Sequence, residues 1–175
     1  MSFLSRLLGT QPDPKEALRP LWQRTVELAR EPAWYRDCGV PDTVDGRYDM
    51  ITSVLAVVLI RMEKSPELMA PSVHLTELFV DDMDGQLREQ GIGDPTLGKY
   101  MGKMMSAMGG RLGAFRDALA ADQAAVEAAV EAAITRNLTL AEGTAPSALA
   151  RRLEALHTQL GALAPAAILD AEIPR

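Results

Sequence analysis

The stretch Met50 to Ile60 is interrupted only by Thr52 and Ser53, and Asp49 and Arg61 bound it closely. A helix this apolar around its circumference belongs inside a protein or a bilayer. The run is about half the length that a membrane span requires, so a buried core helix is the reading that remains. The pattern predicts that helix over roughly 46–63, starting near Asp45 or Gly46.

The flanking sequence reads as further helices, with no sustained period-two alternation. Asp13-Pro14-Lys15-Glu16 opens one: Asp13 as cap, Pro14 at the first helical position, Glu16 at capping-box spacing. Leu18, Leu21, Trp22, Val26 and Ala29 follow on one face, and Pro20 should bend or restart the helix. A short aromatic piece at Trp34-Tyr35 leads into turn residues from Cys38 to Gly46. Pro66 and Pro71 interrupt, and Ser72 is expected to cap a helix over 73–90. Gly91-Ile-Gly-Asp-Pro95 is a break, after which a helix runs from 95 to near Ala121 with Asp94 as cap. Two more are expected over 123–138 and 146–163, carrying Val126, Val130, Ile134, Leu138 and then Leu149, Leu153, Leu156, Leu160, Leu163.

The expectation is an all-α, single-domain bundle of about six to seven helices. Residues 13–165 form the helical domain, 1–12 a flexible or docking segment, and 166–175 a C-terminal tail. Phe3, Leu4, Leu7 and Leu8 would share one helical face in the first segment. It would dock on its own domain or make a transient membrane-surface contact, with Arg6 offered to headgroups. It is too short for a signal peptide, which points to a cytoplasmic protein, peripheral at the inner membrane at most.

Composition removes several function classes. The chain's 18 basic and 24 acidic residues leave a net charge of −6, without the basic surface that nucleic-acid binding needs. Cys38 is the only cysteine, and His74 and His157 are the only imidazoles. Multi-cysteine zinc and iron–sulfur sites are therefore excluded, and no metal or cofactor is expected. Gly91-Ile-Gly93 lacks the rest of a phosphate-loop pattern, and no nucleophile motif accompanies Cys38. The residues describe a non-enzymatic protein.

Charge and methionine are unevenly distributed. Residues 74–94 carry a net −5 and residues 95–116 a net +4. In the acidic helix Asp82 falls within the apolar sector beside Gln86, where a carboxylate needs a partner or lines a groove. Asp84 lies on the solvated side. The helix after it places Met101, Met104, Met105 and Met108 on one stripe with Leu97, Leu112, Phe115 and Leu119. Such a stripe is either core filler or a surface that adapts to varied apolar partners. Gly98, Gly102, Gly109 and Gly113 run along its edge, as expected where another backbone approaches closely. That backbone would be one of the fold's own helices or a bound one. Lys99 and Lys103 lie one turn apart on the far side and would steer an acidic partner or solvate the surface.

Val40-Pro-Asp-Thr-Val-Asp-Gly-Arg-Tyr-Asp-Met-Ile51 resembles a segment of the ubiquinol–cytochrome c chaperone family. So does Leu78-Phe-Val-Asp-Asp-Met-Asp-Gly-Gln-Leu-Arg-Glu-Gln-Gly-Ile-Gly-Asp94, followed by Gly98-Lys99 and Lys103-Met104. Ala133-Ile-Thr-Arg-Asn-Leu138 is similar to the family's later helix. The resemblance implies a helical assembly factor of the cytochrome bc1 complex. Mitochondrial members hold newly made cytochrome b, act with a small helical partner protein and associate with the ribosome's exit region. The expected client is thus nascent or unassembled cytochrome b, and the candidate contacts are Asp82, Asp84, Gly98, Lys99, Met101, Gly102, Lys103, Met104, Met105 and Met108. The rival readings are a small-ligand or haem-binding regulator and an accessory structural subunit of a membrane complex.

Overall fold

A computed structural model describes residues 13–174, with all their side chains except those at positions 94 and 95. Asp13 Oδ1 accepts the Lys15 amide (2.9 Å), and a 3₁₀ turn at Glu16–Leu18 precedes helix α1 (Arg19–Ala29). Pro20 lies in the first turn of α1, where an amide would have no intrahelical partner, so the proline restarts the helix. Helix α2 (Pro32–Arg36) is short. Its aromatics satisfy the last carbonyls of α1: Trp34 Nε1 donates to Leu28 O (2.6 Å) and the Tyr35 hydroxyl to Ala29 O (2.9 Å).

The core helix, α3 (Val44–Met62), is buried continuously from Asp49 to Met62. It begins slightly earlier than expected because Thr43 is its cap, with Oγ1 accepting the Gly46 amide at 3.1 Å. Helix α4 (Met69–Glu89) follows a 3₁₀ turn at Pro66–Leu68. It also starts before its expected cap at Ser72. Pro71 falls within its first turn, where proline does not break the ladder, and Ser72 Oγ donates back to Met69 O (2.8 Å).

Helix α5 (Asp94–Leu119) is the longest, and α6 (Val126–Asn137) and α7 (Ser147–Ala162) follow. Helix α6 starts later than expected because a turn closes first, Ala125 N to Asp122 O at 2.8 Å. A further short helix, α8 (Pro165–Leu169), occupies the stretch expected as a tail. Ile168 and Ile173 there are buried in the core, and Arg24 of α1 donates to the Ile173 carbonyl at 2.6 and 2.9 Å.

The result is an all-α bundle in one domain, built around α3, with no strand among the described residues. Helices α1, α5 and α7 pack directly on α3, α4 lies against α1 and α5, and α6 bridges α5 and α7. Arg61 at the end of α3 is buried and donates to Leu160 O (2.9 Å) and Leu163 O (2.7 Å), closing the C-terminus of α7. No helix among the described residues is long and apolar enough to cross a membrane. The N-terminal segment 1–12, with its proposed apolar face, lies outside the described residues.

Candidate functional site

A groove of about 540 Å³ opens between the start of α3, the end of α4 and the first half of α5. Buried Ile51, Met83 and Leu87 and half-buried Tyr48 and Met104 give it an apolar lining. Arg30, Arg47 and Lys103 line it with cations, and Asp45 adds one acid. Val44 and Tyr100, 71% and 47% exposed, are two of the large apolar side chains left open to solvent, and both border it. Gln86 of α4 and Gln90, which caps its C-terminus, supply amides.

Local sequence explains the α3 wall. Thr43 caps the helix, and Gly46 stands so close to the preceding turn that a Cβ there would collide with the Pro41 carbonyl oxygen. The turn folds back on the helix only because that side chain is missing. Arg47 is held at the surface by Asp42, Nε to Oδ1 at 2.7 Å. Tyr48 reaches across, its hydroxyl donating to Met104 O of α5 at 2.8 Å. Burial pushes the Tyr48 phenol up, with Arg111 opposing, so it remains a protonated donor at neutral pH.

Behind Tyr48 lies a polar cluster that fastens α5 to α3. Arg111 Nη2 donates to Asp49 Oδ1 and Nη1 to Thr52 Oγ1. The same guanidinium donates to Asn137 O at the end of α6, through Nη2 at 2.9 Å and Nε at 3.2 Å. Its carbon sits 5.5 Å from the Tyr48 ring centroid. Burial pushes the Asp49 carboxyl up, while Arg111 and the Thr139 amide pull it back. The pair therefore orients α5, which carries one wall of the groove.

The structure divides the sequence-predicted contacts among several environments. Lys103 and Met104 line the groove. Met108 is buried in the core, and Met101 and Met105 are half-buried against it. Gly98 and Gly102 are exposed, and an added Cβ at either would meet nothing within 4 Å, so none of the described helices packs on that part of the strip. By helical spacing the strip lies on the opposite side of α5 from Tyr100, Lys103 and Ala107 of the groove. Lys99 is exposed. Asp82 is half-buried and accepts from the groove residue Gln86 (Nε2 to Oδ2, 3.1 Å), while Asp84 binds Arg88 (2.7 Å) one turn on.

Sequence reasoning missed Val44, Arg47, Tyr48, Tyr100 and Arg30 as groove residues, and the Asp49–Arg111 pair behind them. One signal was available: on the α5 wheel Arg111 falls beside the methionine stripe, where a charge demands a buried partner. The thiol and both imidazoles lie outside the groove. Cys38 is buried, which pushes its thiol up. His74 pairs with Glu77 (3.0 Å), and burial followed by Lys64 holds His157 below the usual imidazole range. Among the described residues no three His, Cys, Asp or Glu side chains converge as a metal site. The groove is equipped to hold apolar matter beneath a partly cationic mouth.

A family model described as ubiquinol-cytochrome C chaperone matches residues 36–173. The crystal structure of the Cbp3 homolog from Brucella abortus is similar at 30% sequence identity and a TM-score of 0.78. That similarity covers 98% of this chain and 95% of the other. A comparison with curated proteins finds no match. The matched span takes in all three helical walls of the groove and reaches the buried Ile173. This chain belongs to the ubiquinol–cytochrome c chaperone family.

Proposed function

We propose that this protein is a non-enzymatic assembly factor of the cytochrome bc1 complex, and that its groove receives an apolar segment of unassembled cytochrome b. One observation carries the reading. Three of the four stretches bearing the sequence resemblance, 40–51, 78–94 and the start of α5, come together as the walls of one groove, and the fourth, 133–138, lies outside it. Unbranched Met83 and Met104 adapt to side chains of differing shape. Arg30, Arg47 and Lys103 suit the carbonyl end of a client helix or the acidic residues beside it. Shielding such a segment from water requires binding without turnover. The work is done at the membrane face where the client inserts.

The test uses exposed groove residues, so that folding is not at stake. Val44→Asp and Tyr100→Glu together should abolish co-purification of cytochrome b while leaving the helical circular dichroism and urea midpoint unchanged. Undiminished co-purification by that variant would show that the groove is not the client site.

A small-ligand or haem-binding regulator draws on one observation, the groove volume of about 540 Å³. Small-molecule pockets span roughly 300–1,000 Å³. No imidazole or thiol lines this groove, which leaves Met83 and Met104 as its soft ligands. A sharp Soret band on adding haem, lost in Met104→Leu, would favour this second reading.

A further inference from the structure

We propose that a hollow of about 360 Å³, at the corner between α1, α2 and the start of α3, is a phosphate-recognition niche that takes the headgroup of an anionic phospholipid. Three guanidiniums border it, each from a different element. Arg30 closes the C-terminus of α1, Arg36 ends α2, and Arg47 stands near the start of α3. Pro32 and Tyr35 supply the apolar wall, and Asp42 is the one acid. The corner is rigid, because Trp34 and Tyr35 hold the last carbonyls of α1. Asp42 steadies Arg47 through Nε, which leaves both Nη groups without a hydrogen bond among the described residues. Among those residues Arg30 meets no carboxylate, and Arg36 meets only Asp37, at 3.8 Å. Burial, followed by Asp42, pushes the Tyr35 phenol up while Arg47 and Arg30 pull it back, as cations close to that hydroxyl must.

The hollow thus carries a net two positive charges on a chain whose total is −6. Planar guanidiniums match phosphate oxygens with paired hydrogen bonds and are more weakly hydrated than an ammonium. The rim selects among phosphates. Arg30 and Arg47 also border the client groove, where Lys103 adds a cation and Val44 and Tyr100 expose their apolar tips. A soluble phosphate compound would leave those tips in water. A bilayer interface accommodates them, since it takes cations at headgroup level and a tyrosine and an aliphatic side chain just below. In that pose the groove opens against the bilayer, and an apolar client segment passes between lipid and groove without crossing water. The inference deepens the client reading, but lipid binding is measured without cytochrome b, so the two fail separately.

Co-sedimentation of the full-length protein with vesicles tests the niche. Wild type should bind vesicles of phosphatidylcholine and phosphatidylglycerol, and not vesicles of phosphatidylcholine alone. One cation at an anionic leaflet is worth about fivefold in partitioning, so Arg36→Gln should weaken binding about fivefold and Arg36→Glu about 25-fold. Arg36 is exposed and lies outside the groove, so the urea midpoint and cytochrome b capture from detergent extract should be unchanged. Arg136→Gln, the same charge change at an exposed position on α6, should leave vesicle binding intact. Equal weakening by Arg36→Gln and Arg136→Gln would overturn the proposal, because net charge alone would then explain the binding. So would undiminished binding by Arg36→Glu, or equal binding, or none, to the two vesicle types. Inorganic phosphate bound by wild type and lost in Arg36→Glu, without vesicle binding, would overturn it in favour of a free anion. The same pattern with single-stranded RNA alone would overturn it in favour of nucleic acid.

Discussion

Asp49 of α3 and Arg111 of α5 form an ion pair inside the bundle, where Arg111 is only 6% exposed. The pair joins the helix that begins one wall of the groove to the helix that forms another. Removing one partner strands a buried charge. Asp49→Ala should destabilise the fold by about 3–5 kcal/mol. Asp49→Leu combined with Arg111→Met should recover much of that loss in urea unfolding, because neither charge then remains to be solvated.

Glycines in two settings should respond with opposite signs. At Gly46 an added Cβ runs into the Pro41 carbonyl, and such overpacking costs about 1–3 kcal/mol. At Gly98 and Gly102 the same methyl meets open space, and alanine in a helix interior gains about 1 kcal/mol each over glycine. Gly46→Ala should therefore lower the urea midpoint, and Gly98→Ala with Gly102→Ala should raise it. Because the strip lies away from the groove, the latter pair should leave cytochrome b capture intact. Loss of capture would transfer the client contact to the glycine strip.

These contrasts mark what was legible in the sequence. The core helix was, because a run with so few polar residues between Asp49 and Arg61 has only one environment to occupy. The later helices were also legible, with boundary errors where proline tolerates a first turn, as at Pro71 in α4. The groove was legible only in part. Lys103 and Met104 came from the α5 pattern, but Val44, Tyr48 and Arg30 meet them only through the packing of α3 and α1. Periodicity ranks faces along one helix and cannot say which face a neighbour covers. Hence Met108 shares a stripe with Met104 and still ends in the core.

His157 supplies a pH dependence with a definite sign. Burial, followed by Lys64, lowers its folded pKa below 6.5, so the unfolded chain binds the proton more readily. That contribution favours the folded state fully above pH 6.5 and is lost as pH falls through the window below it. Urea unfolding between pH 7.5 and 5.5 should show wild type losing stability relative to His157→Gln. Parallel pH profiles for the two proteins would contradict this assignment.

The central claim, that the groove between α3, α4 and α5 holds cytochrome b, is tested most directly by site-specific photocrosslinking in cells making the client. A photoreactive side chain at Tyr100, at the groove, should crosslink cytochrome b, and withholding haem should strengthen the product as unassembled client accumulates. The same probe at exposed Thr158 on α7 should not crosslink it. Equal crosslinking from both positions, or crosslinking from Thr158 alone, would contradict the account.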